Sequence, residues 1–211
     1  MIELIKANDT PLTARILRRG GKWYLQVIIT WTRLPDDERT KIIYGAIGLD
    51  YNDGFIEESE TDPFGNLIYQ EHIPLDHHGM GNKAESEIQQ KIAALVKQAL
   101  DKKKPIIVED LNFKKTKAKT QSGSNKKYNQ MIHAFDYSRY KDLLSNAAYR
   151  NNVELIYVNP AYTSSIGISK YQDKKKLNRH QAASYVIARK GQNYIDRVYK
   201  RPKQKKVPAV V

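Results

Sequence analysis

The chain has 211 residues, 40% of them hydrophobic, which is enough to bury one ordinary core and too many for a disordered polymer. It contains no cysteine, which excludes a disulfide framework, a thiol nucleophile, an iron–sulfur cluster and a zinc site built on thiolates. Lys and Arg number 36 against 23 Asp and Glu, and the net charge of +13 points to a polyanionic partner such as nucleic acid or an anionic membrane surface. The excess is uneven. Residues 1–100 carry 11 basic and 15 acidic side chains, and residues 101–211 carry 25 and 8, so the second half is expected to hold most of any polyanion. No apolar run reaches about 18 residues and no signal-like amino terminus is visible, so neither a membrane span nor a secretory signal is expected, the cytoplasm is the default compartment, and nucleic acid rather than a membrane is the partner expected.

Residues 12–32 alternate branched or aromatic with polar side chains and predict two strands around Arg19-Gly20-Gly21-Lys22. Charged residues at 35–41 mark a connector, so residues 1–41 read as a β-rich appendage. The run 42–49 is apolar on both parities, as in a strand buried on both faces, and it ends on Asp50. Residues 54–56 and 66–73 predict two more strands of an antiparallel meander, with a turn around Asp62-Pro63-Phe64-Gly65-Asn66.

From Ala84 to Leu100, apolar residues at 84, 88, 92, 95, 96, 99 and 100 recur at helical spacing. Residues 105–108 then predict a short buried strand that delivers Glu109 and Asp110. Residues 113–130 have no apolar period and carry six lysines without an acid, a basic loop. A helix over 135–149, a strand over 153–158 stopped by Asn159-Pro160, a loop, and a last helix over about 178–190 complete a domain spanning 42–196. A second basic run occupies the tail, 197–211. A meander followed by βαβ-type crossovers predicts a mixed sheet with helices on its faces.

In that arrangement the strands ending at Asp50 and Glu109 lie side by side. Two carboxylates so placed repel, and a divalent cation or a shared proton would relieve them. Magnesium, which takes one or two carboxylates and completes its octahedron with water and phosphate oxygens, suits such a pair. Each residue also has a plain structural reading. Asp50 opens the turn-rich string Asp-Tyr-Asn-Asp-Gly, Glu109 has the option of a lysine partner, and a lone histidine on a helix, as His180 is, is more often a partly buried surface residue than a ligand. Asp110 reads as outward-facing, and His77-His78 as loop residues.

Four strings resemble the RuvC-like nuclease domain of TnpB-type (OrfB-type) proteins of bacterial insertion sequences, relatives of the type V CRISPR nucleases. They are Gly48-Leu49-Asp50-Tyr51-Asn52, Ile107-Val108-Glu109-Asp110-Leu111-Asn112-Phe113, Val158-Asn159-Pro160-Ala161-Tyr162-Thr163-Ser164 and Asn178-Arg179-His180-Gln181-Ala182-Ala183-Ser184. They occur in the family's order over residues 42–190, and Gly21-Lys22-Trp23-Tyr24 resembles the end of the family's β-rich wedge. The resemblance implies an α/β, RNase H-like (RuvC-like) mixed five-stranded sheet flanked by helices, with a small N-terminal β appendage. It also implies a transposon-derived DNA nuclease using Mg²⁺ or Mn²⁺ at Asp50, Glu109 and His180, with a guide RNA as a further partner.

His180 stands where most relatives carry a third acid, and the stretch 166–177 is short and basic where relatives carry a four-cysteine zinc element, so no zinc is expected. The helical recognition domain expected ahead of the wedge strands is absent as well. The chain therefore reads as a cysteine-free branch, or a fragment or trimmed remnant, and a remnant that binds nucleic acid without cutting is the alternative. Phosphate contacts are expected from Lys114, Lys115, Lys117, Lys119, Lys126 and Lys127 in the loop, from Arg179, and from Lys200, Arg201 and Lys203 in the tail. Solvated lysine runs are the plain alternative. Tyr128, Tyr137, Tyr140, Tyr162 and Tyr171 lie among basic residues and suit stacking on unpaired bases, although Tyr140 has core spacing with Leu143 and Leu144.

Overall fold

The computed structural model describes residues 13–28, 39–52, 54–75, 82–111 and 137–198. The chain divides into two compact units, residues 1–34 and 35–211. In the first, β1 (Thr13–Arg19) and β2 (Lys22–Ile28) form an antiparallel hairpin paired from Thr13↔Ile28 to Arg19↔Lys22. Gly20 and Gly21 both take positive φ, +54° and +77°, so two residues suffice to reverse the chain.

The second unit runs β3 (Ala46–Asn52), β4 (Phe55–Thr61), β5 (Leu67–Pro74), α1 (Asn82–Asp101), β6 (Ile106–Glu109), α2 (Tyr137–Arg150) and β7 (Leu155–Val158). It then continues through α3 (Thr163–Ile166), a π-helical stretch (Gly167–Gln172), α4 (Asp173–Lys175) and α5 (Arg179–Gly191). The sheet order is β5-β4-β3-β6-β7. The first three strands form an antiparallel meander, and β6 and β7 lie parallel to β3. With a helix between β5 and β6, another between β6 and β7, and a helix after β7, this is the RNase H-like arrangement. The fold class expected from the sequence is the one observed.

The period of two along the strands sorts the sheet into two faces. Ile47, Leu49, Ile56, Ile106 and Val108 point to one face, where they pack with Ile92, Leu95, Val96 and Ala99 of α1 and Tyr140, Leu144 and Ala148 of α2. Tyr140 is therefore a core residue. The opposite face carries Ala46 and Ile107, which pack with Ile187 and Ala188 of α5. The outer side of α5 is covered in turn by Ile166 and Tyr171, packed with Tyr185 and Val186. Every residue from Ala182 to Ala188 is buried as a result. Helix α5 approaches the sheet closely because Gly48 lacks a side chain: a Cβ there would meet Ser184 O at 2.3 Å and Ala188 N at 2.4 Å.

Several element boundaries differ from the sequence reading. Residues 42–44 form a single 3₁₀ turn, and Gly45 at φ +107° turns the chain into β3, so the strand starts at Ala46 and continues past Asp50 to Asn52. The strand read over 54–56 extends to Thr61 despite the acids Glu57, Glu58 and Glu60, which are all buried. The loop expected after β7 is mostly helical, because Ile166 and Tyr171 supply an apolar face for α5. Leu100, read as a core position of α1, is exposed, and its neighbour Ala99 takes the buried position in that turn.

Candidate active site

In the parallel β3–β6 pair, Gly48 lies beside Ile107 and Leu49 beside Val108, so Asp50 and Glu109 follow at the C-terminal ends of neighbouring strands. Asp50 shares its parity with Ala46 and Gly48, and Glu109 shares its parity with Ile107. Both carboxylates therefore leave the sheet on the α5 face. They stand close enough to interact electrostatically: the Glu109 carboxyl is raised above its ordinary value, mainly by burial, and the charge of Asp50 adds to the shift. A hydrogen bond with Thr163 and the positive charge of Lys190 oppose it.

Helix α5 brings His180 to the same place. Asn178 caps the helix, its Oδ1 accepting from the backbone N–H of His180 at 2.9 Å and of Gln181 at 2.8 Å. Gln181 returns the bond, its Oε1 accepting from Asn178 N–H at 3.0 Å, which completes a capping box. The cap puts His180 in the first helical turn, and its Nδ1 lies 3.1 Å from Asp50 Oδ2. Asn52 Nδ2 donates to the same oxygen at 3.0 Å and to the Asp50 carbonyl at 3.2 Å. With its proton on Nδ1, the imidazole is oriented by Asp50, and Nε2 is left to take or give a proton. The partial positive charge of the helix N-terminus also favours the carboxylate facing it.

Lys190, in the last turn of α5, ties the 159–163 turn to the helix. Its Nζ donates to Asn159 O at 2.9 Å, Ala161 O at 2.7 Å and Thr163 Oγ1 at 2.8 Å. Thr163 is the residue that hydrogen-bonds Glu109, so Lys190 acts on Glu109 through its charge and through this turn. Burial lowers the Lys190 ammonium below its usual range, and Glu109 partly restores it. Tyr162, beside Thr163, is exposed in the left-handed region at φ +63°.

The structure thus brings Asp50, Glu109 and His180 to one end of the sheet. Arg179 is exposed at the start of α5. Lys114, Lys115, Lys117, Lys119, Lys126, Lys127, Lys200, Arg201 and Lys203 lie outside the described residues, as do His77 and His78. Asp110 points outward and pairs with Lys141 at 3.1 Å. Among the described residues no three His, Asp or Glu side chains gather tightly enough to form a metal cage. The donor set nevertheless fits a hard divalent cation of the magnesium kind, because that ion needs only one or two carboxylates and completes its shell with water and phosphate.

Residues that were not evident in the sequence also belong to this end of the sheet. Glu57 lies opposite Asp50 in the β3–β4 register and opposite His72 in the β4–β5 register. Its Oε1 is 2.9 Å from His72 Nδ1. The one signal pointing to it was three acids in four residues beside the 54–56 strand, whose burial shows only once β5 and α5 lie against Glu57 and α1 against Glu58.

No protein-family model matches the sequence, and no curated protein matches it. Among solved structures, the chain is similar to T. thermophilus RuvC in complex with a Holliday junction substrate, at 11% identity and a TM-score of 0.45, covering 68% of this chain and 88% of that one. Thermus thermophilus RuvC in a further structure gives 12% identity and a TM-score of 0.44, over 68% and 90% of the two chains. A Cas12f1–sgRNA–target DNA complex gives 15% identity and a TM-score of 0.46, covering 82% of this chain and 55% of that chain. The fold assignment rests on the strand order described above.

Proposed function

We propose that this chain is a divalent-metal-dependent DNA nuclease of transposon origin, related to the TnpB-type proteins, which hydrolyses phosphodiester bonds at Asp50, Glu109 and His180. The observation that supports it most is the placement of two carboxylates at neighbouring strand ends, with an imidazole hydrogen-bonded to one of them. Nothing in the packing of a sheet requires two mutually repelling acids at that position. Asp50 and Glu109 are the residues that would hold Mg²⁺ or Mn²⁺. When bound there, the ion supplies Lewis-acid stabilisation of the charge on the phosphodiester. Among the described residues, the two hydrogen bonds to the Asp50 carboxylate fall on Oδ2, which leaves Oδ1 for a further contact.

In this reading His180 holds a proton at Nδ1 against Asp50 and exchanges one at Nε2 with the attacking water or the leaving oxygen. Thr163, fixed by Lys190, holds the Glu109 carboxylate in place. Arg179 and the lysines of residues 113–130 and 197–211 neutralise phosphates without reading sequence, which suits a net charge of +13. DNA is the proposed substrate and a guide RNA a further proposed partner, both from the sequence resemblance. The cytoplasm is the proposed compartment, and among the described residues no helix is long and apolar enough to cross a membrane.

The test is cleavage of single- and double-stranded DNA in Mg²⁺ or Mn²⁺ by the unaltered chain, Asp50→Ala and Glu109→Ala, with calorimetry of Mn²⁺ binding alongside. The expected result is cleavage by the unaltered chain alone, with Mn²⁺ binding lost in Asp50→Ala. Equal activity in all three proteins would overturn the reading. Salt-sensitive DNA binding with neither cleavage nor metal binding would establish the non-cutting remnant instead.

A further inference from the structure

Glu57 is a carboxylate in an unusual place. It is 1% exposed on β4, between β5 and β3, and its Oε2 has neither solvent nor a hydrogen-bond partner among the described residues. Burying an acid this way costs free energy that an apolar or hydroxyl side chain would not, so sheet stability does not account for it. Directly across the strand pair is Asp50, whose side chain leaves the same face.

The other oxygen of Glu57 does have partners. Asn178 Nδ2 donates to Oε1 at 3.4 Å, and His72 Nδ1 lies 2.9 Å from it. Asn178 is the residue whose Oδ1 caps α5 on the N–H groups of His180 and Gln181. An amide presents its oxygen on one side and its NH₂ on the other, so a carboxylate facing the NH₂ determines which way the group lies. The reversed amide would set an NH₂ against the His180 N–H, donor against donor, and an NH₂ cannot cap a helix. Phe55, on the same face as Glu57, adds a packing constraint: its ring is 5.0 Å from the His72 ring and meets the His180 ring edge-on at 5.2 Å.

We propose that Glu57 is a positioning residue for the Asp50–His180 pair, acting through the Asn178 amide. This rests on the nuclease reading above, in which that pair moves a proton, although the positioning itself is a property of the fold. The carboxylate orients the amide, the amide sets the backbone of the first turn of α5, and that turn holds the imidazole across Asp50. Glu57 touches no reacting atom in this scheme.

The test compares the full chain with Glu57→Leu, Glu57→Gln and Asn178→Ser, read by imidazole ¹⁵N spectra of His180, by backbone amide spectra, and by cleavage kinetics in Mg²⁺. Gln keeps an oxygen that accepts from Asn178, so Glu57→Gln is expected to retain the His180 signals. Glu57→Leu is expected to shift those signals with backbone spectra elsewhere unchanged, and to lower kcat about 10- to 100-fold with little change in KM. Asn178→Ser keeps a helix cap but loses the bond to Glu57, and it is expected to shift the His180 signals in the same direction. Unchanged His180 signals in Glu57→Leu would overturn the proposal, and if that variant does not fold, unchanged signals in Asn178→Ser would do so. Shifted signals in a chain that shows no cleavage would uphold the positioning role while removing the nuclease reading.

Discussion

His180 Nδ1 and Asp50 Oδ2 lie 3.1 Å apart although 130 positions separate them in the chain. A strand in the middle of the sheet and the first turn of the last helix supply the two halves of the pair, and the capping box at Asn178 sets the geometry between them. Replacement of His180 with Ala should leave the fold intact, since His180 is half-exposed, and should lower cleavage by about 10²-fold, the usual contribution of a general acid–base group. Comparison of kcat with thermal melting for His180→Ala checks this. A loss of activity that merely follows a loss of folded protein would contradict it.

Glu58 gives the fold a pH dependence of its own. Burial is the main reason its carboxyl rises from the ordinary 4.5 to about 7, the charge of Glu71 adds to the rise, and Lys102 and the Gln98 hydrogen bond oppose it. Between those two values the folded chain binds more protons than the unfolded chain, so stability falls as pH rises through the window. The shift corresponds to roughly 3 kcal/mol. Glu58→Gln keeps the acceptor that Gln98 uses at 2.7 Å and removes the charge. Urea denaturation should show the two proteins nearly equal at pH 4.5, with the variant more stable at pH 8. A pH-independent difference would count against the account.

Glu60 is the opposite case on the same strand. Burial pushes its carboxyl up, but hydrogen bonds from Lys102 and Lys104 outweigh that and hold it below its ordinary value. Lys104 Nζ lies 2.6 Å from Glu60 Oε1 and also donates to Thr61 O at 2.8 Å. Lys104→Met should destabilise the chain by about 3 kcal/mol, because it leaves a buried charge with one ammonium instead of two. The double variant with Glu60→Gln should recover part of that loss in chemical denaturation.

Gly48→Ala should be among the more damaging small changes. The added Cβ meets backbone atoms of α5 at 2.3 and 2.4 Å, and backbone cannot move aside as a side-chain end can. Overpacking of this kind costs about 1–3 kcal/mol. The helix that shifts also carries His180, so cleavage should fall by more than the melting temperature would explain. A variant with unchanged melting and unchanged activity would show that α5 has room to retreat.

The order of strands and helices was legible in the sequence because strands buried on both faces and amphipathic helices leave distinct periods. The runs ending at Asp50 and Glu109 and the period of α1 are local patterns, and they led to the observed sheet. The segment 163–175 was not legible, since its apolar residues Ile166, Ile168 and Tyr171 are too few to show a period, and Ile166 and Tyr171 become a helix face only against Tyr185 and Val186. The start of β3 was misread for a related reason: a branched run looks the same in a strand and in the short turn that precedes Gly45.

By itself the sequence determined the composition-level facts, namely the absence of thiol chemistry, the basic second half and two acids at the ends of apolar runs. Only the tertiary structure decided which side chains meet. Register and parity put Asp50, Glu57 and Glu109 on one face, and the cap of α5 put His180 against Asp50. The physical reason is that burial and charge interaction depend on neighbours far away in the chain. Glu57 and Glu58 are merely adjacent acids in the sequence, and they become one partner of the site and one titrating core group only when β3 and β5 flank them, with α5 against Glu57 and α1 against Glu58.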